Sequence, residues 1–207
     1  GRLGRVWTSK SGDGIWMSLI IKPKIEPYKA PFLTLVAGAS VVKALSNLDV
    51  EASIKWPNDI IVHNKKICGI LTELSAEMER VNYVVIGIGI NIKTIDFPDE
   101  IKEKATSLYK EGYKLSRVDI VRQFCIEFEK LYKGYILDGN KQDTLELCRK
   151  YSAIIGKQVY VIKNNKRELV KCIDINENGN LIVKEKNGEI QEIMSGEVSI
   201  RGVKGYV

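Results

Sequence analysis

The sequence is poor in the residues from which most hydrolytic, redox and metal chemistry is built. It holds one histidine, His63, beside Asn64 and Lys65 in a turn. A Ser-His-Asp or Cys-His mechanism needs an imidazole held in place by a third group, and His63 reads instead as a surface residue. The four cysteines, Cys68, Cys125, Cys148 and Cys172, are scattered and form no C-x-x-C pair, which argues against a zinc site. Each sits among apolar neighbours, so all four read as buried, reduced thiols. No apolar run approaches the roughly 20 residues that cross a bilayer. The opening Gly-Arg-Leu-Gly-Arg is neither a signal peptide nor a lipidation signal, so no membrane partner is expected and a cytoplasmic location is the default. There is no Walker A string, no internal repeat and no low-complexity stretch.

What is present is an ordinary globular composition, 44% hydrophobic over 207 residues, enough for one substantial domain plus a small one. The net charge of +6 favours an anionic partner. The lysines are spread along the chain, however, as on a solvated surface. A nucleic-acid-binding module would need a cationic stripe with interleaved stacking aromatics. Phe124, Phe128 and Tyr132 fall instead on an apolar helix face, so DNA binding is not expected from this chain.

Residues 1–14, with four glycines, three cationic residues and Trp7, read as a loop. Ile15–Ile21 reads as a strand, and Pro31 opens a helix carrying Phe32, Leu35, Val36, Ala39, Val42 and Leu45 at helical spacing. Short strands follow at 52–56, 60–62 and 67–74, with Asn64-Lys65-Lys66 turning between the last two. The apolar, β-branched run 81–90 predicts a strand buried on both faces. Ser116-Arg117-Val118-Asp119 resembles a capping box. It opens a helix that places Phe124, Cys125, Phe128, Leu131 and Tyr132 on one face. A shorter helix covers 142–151. From Gln158 onward the chain alternates in short strands, with Asn178-Gly179 and Asn187-Gly188 as tight turns, which predicts a small closed β-barrel. The domain boundary falls near 152–156.

Three segments are suited to ligand chemistry. Gly1-Arg2-Leu3-Gly4-Arg5-Val6-Trp7 combines close backbone approach, planar cationic donors and a flat ring; by physics alone it is equally a frayed basic terminus. Lys55-Trp56-Pro57-Asn58-Asp59 places a lysine at a strand end before a sharp turn. That lysine either presents its charge to an anionic ligand or snorkels to solvent. Gly87-Ile88-Gly89-Ile90-Asn91 ends the most hydrophobic strand. Its glycines leave room for a ligand or merely ease packing, and Asn91 offers a carbonyl to a phosphate's metal. A dinucleotide fingerprint fails there, because Ile92 stands where its last glycine is needed. Gly69 marks either a bulge or a second close approach.

Taken in order, G-R-x-G-R-x-W, G-x-x-x-S, K-W-P-N-D, K-x-x-G-I-L-x-E and G-I-G-I-N resemble the biotin–protein ligase family along essentially the whole chain. The terminal Ser195-Gly196-Glu197-Val198-Ser199-Ile200-Arg201 resembles the end of bacterial members. The family's basic loop reads G-R-G-R-x-G-R-x-W; this chain starts at its second glycine, so the family's preceding strand and helix lie outside it. The resemblance implies an α+β fold: a mixed β-sheet covered by helices, of the class II synthetase and biotin-ligase type, over residues 1–153, then an SH3-like β-barrel over 156–207. It implies ATP-dependent formation of biotinyl-5′-AMP and transfer of biotin to a lysine of a biotin carboxyl carrier protein, that of acetyl-CoA carboxylase or a related carboxylase, with Mg²⁺ as cofactor. It allows a homodimer. Carried over by position, Gly1, Arg2, Lys55, Gly69, Gly87 and Gly89 contact biotin. Arg5, Trp7, Asn91 and Arg201 serve the nucleotide, Asn91 with the metal. Lys55, Arg2 and Arg5 carry the chemistry. The rival readings are a lipoyl or octanoyl transferase of the same superfamily, a biotin-binding corepressor without catalysis, and a basic nucleic-acid module.

Overall fold

The structure is a computed structural model that describes residues 10–163, 166–195, 198–203 and 205–207. Two five-stranded antiparallel sheets and three α-helices account for the regular structure among those residues. The first sheet is built from β1 (Gly14–Ile21), β2 (Ser53–Lys55), β3 (Asp59–Val62), β4 (Lys65–Glu77) and β5 (Arg80–Asn91), in the order β1-β5-β4-β3-β2. The second is built from β6 (Gln158–Lys163), β7 (Lys166–Ile175), β8 (Leu181–Lys184), β9 (Ile190–Ile193) and β10 (Ser199–Gly202), in the order β10-β6-β7-β8-β9. Parallel geometry enters only at the isolated bridges Ile54–Ser152 and Lys66–Ala105. Among the described residues, β9 and β10 lie at the two ends of the second sheet.

Helix α1 (Phe32–Ser46) begins directly after Pro31, which fixes φ and needs no backbone donor at a helix start. Twelve of its fifteen residues are buried, so it reads as a core helix, apolar on nearly every side. With the preceding 3₁₀ turn Pro27–Lys29, the segment 27–46 is apolar enough by length and composition to cross a membrane, which corrects the expectation drawn from the sequence. In the fold it serves another purpose: 72% of that segment's apolar window is buried, and α1 alone rises only about 22 Å.

Helix α2 (Arg117–Leu137) starts at Ser116, whose hydroxyl accepts from the Val118 backbone N–H at 3.2 Å, as an N-cap should. It buries Ile120, Phe124, Phe128, Leu131 and Tyr135 along one stripe. Two expectations fail here. Cys125 is exposed, because it lies one residue, about 100° of helix, beyond Phe124. Tyr132 is only half-buried, its ring stacked on Phe128 with centroids 5.6 Å apart. Helix α3 (Gln142–Lys150) then leads into the second sheet.

Strand β5 also departs from expectation. It is not buried on both faces; its burial alternates. Val84, Ile86, Ile88 and Ile90 are fully buried on the face that meets the helices, while Val85, Gly87 and Gly89 are half-exposed on the other. β-branched richness reads as double burial in a sequence, but here every second position on the open face is small. The turn between β3 and β4 is His63-Asn64, both at positive φ (46° and 63°), one residue earlier than the spacing predicts. That is the two-residue hairpin geometry matching strand twist.

The sheets meet at a packed seam. The Trp56 indole N–H donates to the Gly179 carbonyl at 2.9 Å, and Arg149 donates to Asp174 and to the Ile175 carbonyl at 2.8 and 2.5 Å. Gly179 has φ of 82°, and a Cβ there would lie 2.4 Å from Leu35 Cδ1, so only glycine fits both the turn and its contact with α1.

Burial raises the thiols of Cys68, Cys148 and Cys172, the last two to about 12, so they stay protonated and inert. A thiol reagent at neutral pH is therefore expected to label Cys125 alone in the folded protein, and all four cysteines only after denaturation. Peptide mapping of the labelled protein checks this, and rapid native labelling of Cys148 would contradict the packing described.

Candidate functional site

The register of the first sheet places the motif residues in one line. Lys55 pairs with Asp59, Asp59 with Gly69, Gly69 with Gly89, and Gly89 with Trp16. Directly opposed residues in adjacent strands point to the same face. These five positions, drawn from five strands, therefore form a single cross-strand row, and Lys55 and Gly89 are about 14 Å apart at ordinary strand spacing. The next row holds Leu71, Gly87 and Ser18. A one-residue slip anywhere would send these side chains to the helix side.

This row gives the open face a bare floor with walls. Gly69, Gly87 and Gly89 are half-exposed and supply no side chain. At Gly87 a Cβ would meet nothing closer than the Leu71 carbonyl oxygen at 3.6 Å, an ordinary contact, so packing within the sheet does not demand glycine there. On one side the Trp16 ring folds against Gly14, where an added Cβ would lie 2.5 Å from the indole and from the Ile90 carbonyl oxygen. The Trp16 Nε1 donates to the Lys10 carbonyl at 3.2 Å. On the other side stands Lys55, only 2% exposed. Its ammonium donates to the Tyr206 carbonyl at 2.7 Å and lies 3.4 Å from the centroid of the Tyr206 ring. A buried ammonium keeps its charge only with such compensation.

The corner after Lys55 is fixed from two directions. Asn58 donates through its amide to the Ile70 carbonyl at 2.8 Å and accepts from the Ile70 N–H at 2.9 Å through its own carbonyl. Asp59 is ion-paired with Lys66 and accepts from the Tyr206 hydroxyl.

At the far end of β5, Asn91 is 5% exposed, opposite Gly14, on the same face as Gly87 and Gly89. Its amide donates to the Thr106 carbonyl at 3.0 Å. The Thr106 hydroxyl donates to Glu111, which also contacts His63 Nδ1, each at 2.5 Å. Partial burial pushes the Glu111 carboxyl up, but the hydrogen bonds from Thr106 and His63 outweigh it and hold the group below the usual range. His63 is exposed, as the sequence implied, and pairs with the Glu111 carboxylate.

The structure thus brings together Lys55, Gly69, Gly87, Gly89 and Asn91. It does not place Arg201 on the floor: that residue lies on β10 opposite Tyr160, with its guanidinium donating to the Ile200 carbonyl at 3.3 Å. Gly1, Arg2, Arg5 and Trp7 lie outside the described residues. Sequence reasoning missed three residues of the site. Trp16 was legible through its strand position. Asp59 stood inside a motif already singled out. Tyr206, 151 residues from Lys55, gave no local signal. Among the described residues no cluster of three or more His, Cys, Asp or Glu could cage a metal. A Mg²⁺ ion carried mainly by phosphates and water, with one protein carbonyl, is still compatible with that donor set.

The biotin/lipoate A/B protein ligase family model matches residues 1–91, and the model of the biotin protein ligase C-terminal domain matches residues 154–201. The chain is 40% identical to the bifunctional ligase/repressor BirA of Bacillus spizizenii over 97% of its own length and 62% of the relative's. It is 27% identical to the Escherichia coli protein of the same name, over 99% of this chain and 64% of that one. The chain therefore spans somewhat under two thirds of the length of these relatives. The biotin protein ligase of Aquifex aeolicus, solved in complex with biotin and ATP, superposes with a TM-score of 0.83 at 29% identity, over 98% of this chain and 84% of that one. Matched over residues 1–91 by the biotin/lipoate ligase model and over 154–201 by the biotin protein ligase C-terminal model, and similar along nearly its whole length to the BirA ligase/repressor and the Aquifex ligase, the chain belongs to the biotin protein ligase family.

Proposed function

We propose that the protein containing this chain joins biotin to ATP as biotinyl-5′-AMP and passes the biotinyl group to a lysine of a carboxyl carrier protein. The observation that carries this reading is the single row of Lys55, Gly69 and Gly89, a buried cation at one end of a bare-backbone floor. Such a floor admits a flat or extended acid against the sheet, and the ammonium meets its carboxylate. Catalytic residues 1–153 and a C-terminal SH3-like domain over 156–207 are the proposed division.

In the first step a carboxylate oxygen of biotin attacks the α-phosphorus of ATP, and the bond to the β-phosphate's bridging oxygen breaks with loss of pyrophosphate. Two anions must approach, and Lys55 offsets both their repulsion and the charge that develops in the transition state. Asn91 would offer its side-chain oxygen to Mg²⁺, and that ion, when bound, would neutralise phosphate charge. In the second step the acceptor lysine's amine attacks the acyl carbon and AMP leaves. Arg2, Arg5 and Trp7 are assigned to the loop over the adenylate, and Gly1 to the biotin side, by the family motif. Arg201 is assigned to the nucleotide from the neighbouring domain on the same ground. The reaction needs no covalent enzyme intermediate, in keeping with the protonated thiols of the buried Cys68, Cys148 and Cys172.

The matched family model spans lipoate as well as biotin ligases, so lipoate is the competing substrate. Calorimetric titration of the full-length protein with biotin and with lipoate, each with and without MgATP, separates them; tight binding of lipoate alone would overturn the proposal. Lys55→Ala is expected to reduce biotin-dependent pyrophosphate release by about 100-fold or more. An unchanged rate would remove Lys55 from the chemistry. Gly87→Val adds a side chain that favours a strand and has space at its Cβ, but that projects into the floor. It is expected to weaken biotin binding roughly tenfold or more while leaving Tm within about 3 °C. A loss of stability with unaltered biotin affinity would show the glycine to be structural.

A further inference from the structure

The segment after β10 reaches into the lysine end of the site. A Cβ on Gly202 would lie 2.3 Å from the Val207 carbonyl carbon, so residue 202 is bare where the chain passes back over it. Gly205, at φ of 84°, allows the turn that brings Tyr206 inward. Tyr206 is 9% exposed and touches the catalytic sheet with three separate groups. Its carbonyl accepts from the Lys55 ammonium at 2.7 Å, its ring faces the same ammonium at 3.4 Å, and its hydroxyl donates to the Asp59 carboxylate.

The geometry points to a positioning role for Tyr206 in the ligase reaction, an inference that rests on the function proposed above. Lys55 and Asp59 are directly opposed across β2 and β3 and share a face. A closed Lys55–Asp59 ion pair would weaken the lysine's pull on a third, anionic group. Tyr206 acts on both partners. Its hydroxyl, together with the Lys66 ammonium, holds the Asp59 carboxylate. Its carbonyl and ring are neutral groups and stabilise the Lys55 charge without cancelling it. A residue borne by the second sheet thereby sets the anion affinity of a site built on the first.

The test is a double-mutant cycle in the full-length protein, read as the biotin KM and kcat of pyrophosphate release. Tyr206→Phe keeps the ring and the backbone carbonyl and removes only the hydroxyl. It is expected to raise KM for biotin roughly 5- to 20-fold, with kcat changed less, because the released carboxylate turns to Lys55. In an Asp59→Asn background, where there is no carboxylate to restrain, the same Tyr206→Phe change is expected to move KM by less than about twofold. An equal rise in both backgrounds, or a lowered KM in the Tyr206→Phe protein, would overturn the assignment; the latter would make the tyrosine an obstruction to the ligand. An unsubstituted protein that releases no pyrophosphate with biotin would defeat the ligase reading itself. A working one with additive substitutions would defeat only the role of Tyr206.

Discussion

A lysine ammonium withdrawn from water must find compensation, and the way Lys55 finds it ties the two halves of the molecule together. The strand that carries it is three residues long and ends at the sheet margin. Its side chain is 2% exposed, and the segment after β10 folds over it. One residue further, Trp56 sends its indole into the same seam, to a glycine turn of the second sheet. The binding corner and the interface between the sheets are therefore one structure. A change that loosens the docking of the second sheet also removes the groups that stabilise the lysine's charge.

The opposite design holds along the glycine row. There the sheet presents backbone instead of side chains, and one face of β5 contributes little burial to the fold. The other face more than offsets this, with Ile86, Ile88 and Ile90 packed into the helix side. That asymmetry is what a binding floor on a stable sheet requires. The hydrophobic stabilisation is concentrated on one side of the strand, where each fully buried isoleucine contributes on the order of 2 kcal/mol, and the other side carries the half-exposed glycines.

The secondary structure was largely legible in the sequence because it rests on local signals: Pro31 before α1, Ser116 capping α2, and the two Asn-Gly turns in the second sheet. The convergence of Lys55 with Gly69, Gly87 and Gly89 was legible only through the order of the motifs. What escaped was whatever depends on facing. Apolar neighbours in sequence made Cys125 look buried, yet neighbours along a helix look in different directions. The valines and isoleucines of β5 masked an alternation that the glycines in fact announce. Tyr206 escaped for a different reason, since its partners are brought to it by docking and not by any periodicity.

The division of labour between the sheets follows from this geometry. A floor alone selects shape, because glycines exert no directional pull. On the proposed function, the Lys55 charge would select the ionised end of an acid, with a strength set by how the Asp59 carboxylate is restrained. In this chain that restraint comes from Lys66 on the same sheet and from Tyr206 on the other. Shape recognition would then rest on residues 14–91 and the electrostatic setting of the lysine corner on Tyr206. The lysine corner forms only where Lys55 and Asp59 of the first sheet meet Tyr206 from the segment after β10.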